Sequence, residues 1–264
     1  MPVLSPLPAP RLLSAYRTAA KELNQTILQA DPKKPIVILR RIVMVDIEDI
    51  TKQLEKETRL WLEDEVPKQY SEGSFQAISE CKAQELVLKQ TKFGQIHQEA
   101  IEALVEDAYL DFANGLEGVK RAGREFISEV IKLKINERIV VGAIKGGSVY
   151  KIKREVKKLV EDRGFTALID RGSKRWKIDT YAEMLVRTHT IKANNAGFSN
   201  RLLENGLELV EMSSHGSSCP ICKEYEGKVF SLTGNDKRFG KAPALPIHPN
   251  CRHSYLPYIL CKSG

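Results

Sequence analysis

The residues best suited to chemistry are Cys219 and Cys222, spaced as C-x2-C, and His248 and Cys251, spaced as H-x2-C. Three thiols and an imidazole are the soft and borderline donors that a tetrahedral zinc ion takes. A structural zinc site fills all four positions with protein side chains, whereas a catalytic one keeps a position for water. Four protein donors therefore point to architecture rather than turnover, and the sequence predicts one structural zinc per chain on Cys219, Cys222, His248 and Cys251. A disulfide framework is the weaker reading, because five cysteines is an odd number and no secretory signal is visible. His215, His253 and Cys261 are the available substitutes should one of the four not ligate.

Other chemistries that use Cys and His fit less well. A zinc deaminase needs an H-x-E element ahead of its P-C-x-x-C, but His215 is followed by Gly216 and Ser217. An HNH-type nuclease needs metal-binding histidines separate from its knuckle. His248, Asn250 and His253 all fall inside the expected ligand turn, so a nuclease is kept as the leading enzymatic alternative. Neither Cys81 nor Cys261 has a recognisable nucleophile setting. Arg187 and His189, two residues apart on an expected helix, point in different directions and are expected to cap or to pack against the zinc module. The GAIKGGS stretch at 142–148 is not a phosphate loop, since Lys145 precedes the glycine pair instead of following a glycine and preceding Ser or Thr. No general base, nucleophile or cofactor loop is aimed at the cysteine cluster, and the chain reads as a non-enzyme.

The cluster needs elements to hold it. At 264 residues and 42% hydrophobic content the chain can bury a substantial core. It has no apolar run long enough to span a membrane, and folding in a reducing cytoplasm is the expectation. Its net charge of +7 is regional: residues 120–177 carry 17 Lys and Arg against 7 Asp and Glu. Such a surplus attracts polyanions and makes their binding salt-dependent.

Periodicity predicts a first helix over 11–29, with Leu12, Leu13, Tyr16, Ala20, Leu23 and Ile27 on one face, ended by prolines at 32 and 35. A second helix starts near Asp46 and places Ile47, Ile50, Leu54, Thr58 and Trp61 inward, with Pro67 and Gly73 expected to interrupt it. Residues 36–45 read as a strand or a helix start. A third helix covers 97–113, with a helical, more basic continuation over 115–137; His97 at its start has no assigned role. Ser148 caps an amphipathic helix whose apolar face is Val149, Ile152, Val156 and Leu159. Its separate stripe of Lys151, Arg154 and Lys158 is the candidate contact for phosphate or an acidic partner.

A β-hairpin is expected over 167–178, a helix from Asp179 toward Gly197, a stop at Gly206 and a strand over 207–212. A short strand at 227–232 and a Pro- and Gly-containing loop then return the chain to His248. The fold class is thus α+β: a helical N-terminal region over 1–114, then a basic helical and α+β domain over 115–264. That domain ends in a hairpin-containing zinc knuckle at about 207–258, which buries too little apolar surface to hold its shape without a staple.

Three pieces of this C-terminal region carry a resemblance. Arg187-Thr188-His189-Thr190, then Ser214-His215-Gly216 leading to EGKVFSL from Glu226 to Leu232, and HPNCRH from His248 to His253 resemble tailed-phage minor capsid proteins. The pattern is similar to the minor capsid protein 2 family and, in outline, to the Mu F-like head morphogenesis proteins, over roughly residues 180–258. Mu F-like sequences tend to place an acidic residue and Arg before the first cysteine and to end in Cys-Arg-Cys; this chain has Ser217-Ser218 and Arg252-His253 there. The zinc expectation accordingly rests on the four donors, not on the resemblance. The resemblance implies a low-copy structural protein of a phage or prophage head, assembled in the bacterial cytoplasm near the portal or the capsid interior. Implied partners are portal, major capsid or scaffolding proteins, with double-stranded DNA as a further contact, and no membrane or small-molecule substrate.

Overall fold

A computed structural model describes residues 9–29, 36–141, 154, 158, 167–216 and 219–260. The expected turns at 31–35 and 142–148, Lys151, the apolar face at 149–159, Ser217, Ser218 and Cys261 lie outside those residues. Helix α1 (Pro10–Gln29) is followed by two long helices, α2 (Ile36–Ala83) and α3 (Gln95–Val141). Strands β1 (Ala167–Ile169) and β2 (Arg175–Lys177) precede α4 (Ile178–Glu204). The C-terminal part holds β3 (Leu209–Met212), the short α5 (Pro220–Lys223), β4 (Val229–Ser231), β5 (Gly240–Lys241) and β6 (Tyr255–Pro257). The α+β expectation is met as a mainly helical chain with two small sheets.

The chain forms two compact units. Among the described residues, one is built from 61–108 and 184–260 and the other from 9–60 and 109–183. Helix α3 runs without interruption through residue 114, where the sequence reading divides the chain, and the units interleave along the sequence.

In the second unit, α1 buries Leu12, Leu13, Tyr16, Ala20 and Leu23, the face its periodicity predicts. Residues 36–45 are helical, as the first turns of α2. The expected hairpin is present, with Ala167 opposite Lys177 and Ile169 opposite Arg175. It is tied at its turn by Asp170, which accepts from the Trp176 indole at 2.8 Å and from the Lys174 amide at 2.8 Å. Gly118 of α3 lies against this hairpin so closely that a Cβ would stand 2.6 Å from the Ile169 carbonyl.

The first unit contains the departures from expectation. Proline inside a helix costs about 3 kcal/mol through a lost hydrogen bond and a steric clash, yet α2 passes through Pro67 unbroken. Leu62, Val66, Tyr70 and Ala77 on either side of it are buried, and that packing outweighs the local penalty. Gly73, expected to interrupt α2, and Gly197, toward which the helix from Asp179 was expected to run, are helix-crossing positions. A Cβ on Gly73 would lie 1.9 Å from the Asn194 carbonyl oxygen, and one on Gly197 would lie 1.9 Å from that of Tyr70. Helix α4 therefore continues past Gly197 to Glu204, where Gly206, at φ +74°, ends it. The Leu207 amide donates to the Leu202 carbonyl at 3.0 Å and the Gly206 amide to that of Leu203 at 3.0 Å, the paired bonds of a Schellman stop.

Beside this crossing lies a buried polar network. Arg201, fully buried, donates to Ser74 Oγ (2.8 Å), to the carbonyls of Gln90 and Lys92 (3.1 Å each) and to Glu204 (2.7 Å). Glu204 also meets His97 Nε2 at 3.0 Å, and His97 Nδ1 meets the Tyr70 hydroxyl at 2.8 Å. The network fastens the connection between α2 and α3 to α4.

Two outcomes test this packing. Arg201→Met, which leaves Glu204 and two carbonyls without their donor, is expected to lower unfolding free energy by about 3–5 kcal/mol in urea denaturation. Gly197→Ala is expected to cost at least about 2 kcal/mol, because the neighbouring backbone has no room for the methyl; thermal unfolding unchanged from the parent chain would contradict the crossing.

Candidate metal centre

The centre sits in a four-stranded sheet of order β5-β4-β3-β6, in which β3 pairs antiparallel with β4 and β6, and β4 pairs parallel with β5. Strand β3 alternates as the sequence predicts, turning Val210 and Met212 into the core. That core includes Phe198 and Leu202 of α4, Phe230, Leu245 and Tyr255, and two of the thiols, Cys222 and Cys251.

Two tight turns deliver the donors. In the first, Cys219 stands in extended conformation at the head of α5 with Pro220 in its first turn, and the Lys223 amide donates to the Cys219 carbonyl at 3.1 Å. In the second, the Cys251 amide donates to the His248 carbonyl at 3.0 Å, with Asn250 in the left-handed region at φ +65°. Asn250 Oδ1 accepts from Arg187 Nη1 at 2.7 Å, so Arg187 joins α4 to the knuckle, the packing role expected for it. His189 is buried on the same helix, with Nδ1 3.8 Å from Asp107. The loop between the turns is gathered by Glu208. Its carboxylate accepts from the Ser231 hydroxyl at 2.5 Å, from the Thr233 hydroxyl, and from the amides of Asn235 and Asp236 at 3.2 and 3.4 Å. Those donors, the Ser231 hydroxyl first, hold its carboxyl below the ordinary range.

Of the four predicted donors, Cys219, Cys222 and His248 come within 4.8 Å of one another, and Cys251 reaches them through Cys222. Cys219 Sγ lies 3.4 Å from His248 Nε2, Cys222 Sγ lies 3.0 Å from the same nitrogen, and Cys222 Sγ is 3.9 Å from Cys251 Sγ. A tetrahedral ion with bonds of about 2.3 Å to sulfur and 2.0–2.1 Å to nitrogen spaces its ligands by roughly 3.6–3.8 Å. The 3.4 and 3.9 Å separations fall just outside that range on either side, and the third is tighter. None of the four described cysteines is disulfide-bonded. His248 Nδ1 donates to the Pro249 carbonyl at 2.8 Å, which leaves the Nε2 lone pair toward the sulfurs.

A fifth donor joins them. Cys222, Cys251 and His253 form a second fully buried group able to hold a metal, sharing Cys222 with the group of Cys219, Cys222 and His248. His253 Nδ1 is 3.5 Å from Cys251 Sγ, and its Nε2 is 2.8 Å from Glu226 Oε1. His215 is exposed; its Nε2 meets Ser213 Oγ at 3.0 Å and its ring stands edge-on to His253 at 4.9 Å. Among the described residues it joins neither group. Glu226 went unassigned in the sequence; only its place at the head of the EGKVFSL segment marked it.

The thiols differ in character. The Cys222 and Ile221 backbone amides, Cys222's foremost, hold the Cys219 thiol below its usual range. Burial, with the neighbouring thiols, pushes Cys222 up to about 12. Asn250 and both histidines proposed for a nuclease are occupied with Arg187, the thiols and Glu226. Of the basic stripe, Arg154 and Lys158 are helical and exposed, while Lys151 lies outside the described residues. No described helix is long and apolar enough to cross a membrane.

A helical protein closed by a compact Cys- and His-rich sheet module is the class that this fold and site define. The family model for phage minor capsid protein 2 matches residues 29–261. The chain therefore belongs to the phage minor capsid protein 2 family, a family of phage structural proteins. It is similar to a protein described as "Structural protein" from Lactococcus phage LL-H, 27% identical over 106 residues, which are 36% of this chain and 29% of that relative. The matched part is thus under a third of the relative's length. No solved structure matches the chain.

The contrast between the thiols gives a direct check. In chelator-treated protein at mildly alkaline pH, iodoacetamide followed by mass spectrometry should label Cys219 at least about tenfold faster than Cys222. Equal rates would contradict the environments described.

Proposed function

We propose that the chain is a minor component of a tailed-phage or prophage head, assembled in the bacterial cytoplasm and acting near the portal or the capsid interior. In this reading a single structural zinc on Cys219, Cys222, His248 and Cys251 fixes its C-terminal module, and the module presents a binding surface rather than a catalytic one. The observation that carries the head role is the family match over nearly the whole chain. The observation that favours the zinc is the grouping of Cys219, Cys222 and His248 within 4.8 Å of one another, with Cys251 Sγ 3.9 Å from Cys222 Sγ and the other ring nitrogen of His248 already bound to a carbonyl.

Thiol ligands must lose their protons to bind zinc, so uptake releases protons and affinity rises with pH. The ion would make the Cys222 thiolate tenable in its buried position. Cys222 belongs to both donor groups, and Cys222→Ser is expected to abolish the one zinc per chain measured by elemental analysis. Retention of stoichiometric zinc in that variant would identify the wrong ligands.

For the head role, tagged protein expressed during infection should co-sediment with proheads or portal complexes at a low, fixed ratio. Its recovery only in the soluble fraction would contradict assembly into a head. The exposed Arg154 and Lys158 favour a polyanion contact as a second reading. If DNA is that polyanion, the salt dependence of duplex binding should flatten by about one unit of slope for each of Lys151, Arg154 and Lys158 changed to Ala. An unchanged slope would assign the stripe to a protein partner. Metal-dependent DNA nicking lost in His253→Ala would replace the structural reading with a nuclease.

A further inference from the structure

We infer that His253 is a metal ligand in its own right, held ready by Glu226, so that the centre has five donors for four coordination positions. The inference rests on the zinc reading above and assigns a residue outside its four ligands.

The argument is one of hydrogen placement. The Glu226 carboxylate is nine-tenths buried, lies 2.8 Å from His253 Nε2 and accepts from the His215 amide at 3.2 Å. A carboxylate only accepts, so the hydrogen of this contact belongs to Nε2. In the neutral ring Nδ1 then carries the lone pair; Nδ1 is the atom facing Cys251 Sγ at 3.5 Å, and the His253 ring also comes within 4.8 Å of Cys222 Sγ. A ring nitrogen directed at two thiols, with a carboxylate on the opposite nitrogen, is the arrangement of a metal-ligating histidine backed by its orienting group. His248 has the same arrangement with the Pro249 carbonyl as its backing.

The two histidines differ in setting. His253 is buried and its ring is confined by His215, while its own carbonyl is 3.5 Å from Asn195 Nδ2 of α4. His248 is half-exposed at the mouth of the loop. The more accessible imidazole can therefore leave without emptying the centre, because Cys222, Cys251 and His253 remain as a buried group, with Cys219 beside Cys222 to complete it.

The test uses the full chain loaded with Co2+ as a spectroscopic probe and, separately, with Zn2+ in competition with a chromophoric chelator. His248→Ala is expected to keep about one metal per chain and a tetrahedral Co2+ spectrum. His248→Ala combined with His253→Ala is expected to lose tetrahedral binding, with affinity falling at least about 100-fold below the single variant. Glu226→Gln in the His248→Ala background should weaken binding by about 10–100-fold. His248→Ala with His253→Cys should restore tight binding and raise the sulfur-to-cobalt charge-transfer band from that of three thiolates to that of four. This last variant separates ligation from mere packing.

Loss of metal in His248→Ala equal to that in the double variant would overturn the inference. So would an unchanged His248→Ala spectrum when His253 is also removed, which would make His253 a hydrogen-bond donor to the Cys251 thiolate. A parent chain that takes up no metal sinks the zinc reading itself, an outcome distinct from either.

Discussion

Everything in the C-terminal module depends on how two buried sulfurs are satisfied. Cys222 and Cys251 stand 3.9 Å apart inside a core shared with Phe230, Met212, Leu245 and Tyr255, and each strand around them is only two to four residues long. Ordering each residue of such a segment costs about 1–2 kcal/mol of backbone entropy, which strands this short recover poorly from burial alone. A structural zinc in a small module contributes an apparent 10–16 kcal/mol at neutral pH, more than any single contact present. In the proposed centre the metal ties the turn after β3 to the turn before β6, and Arg187 and Asn195 tie that second turn to α4.

The rest of the same unit solves the opposite problem. Its helices are long and have ample surface, and what must be specified is how they meet. Gly73 and Gly197 bring α2 and α4 to backbone contact, and the buried Arg201 with Glu204, His97 and Tyr70 forms a connected network, with only Arg201 Nη2 left without a partner in it. Polar groups buried in this way penalise alternative packings more than they favour the native one. The knuckle is thus attached to a helical platform whose geometry is fixed independently of any ion.

The grouping of Cys219, Cys222 and His248 was legible because metal ligation imposes residue types at short spacings. Strands β3 and β4, the β1–β2 hairpin and the Gly206 stop were legible for a similar reason, since alternation and turn chemistry are local. Pro67 and Gly73 misled because a local penalty of a few kcal/mol is outweighed by packing, which at Gly73 involves Asn194, more than a hundred positions away. Glu226 was marked only by its place at the head of the EGKVFSL segment, and the Arg201 network had no sequence signal at all. Their partners are brought together by tertiary structure, and a lone His97 or Glu204 on a helix is indistinguishable from a solvated one until the neighbouring helix is in place.

The most direct measurement of the central claim is hydrogen exchange with the metal present and after chelation. Removal of zinc should expose the amides of Met212, Ser213 and Cys251, which bond to Lys228, Ser254 and His248 across the module, while those of the α2–α4 crossing stay protected. Unchanged protection of those three amides in metal-free protein would contradict the account, because the module would then hold its fold without the staple proposed for it.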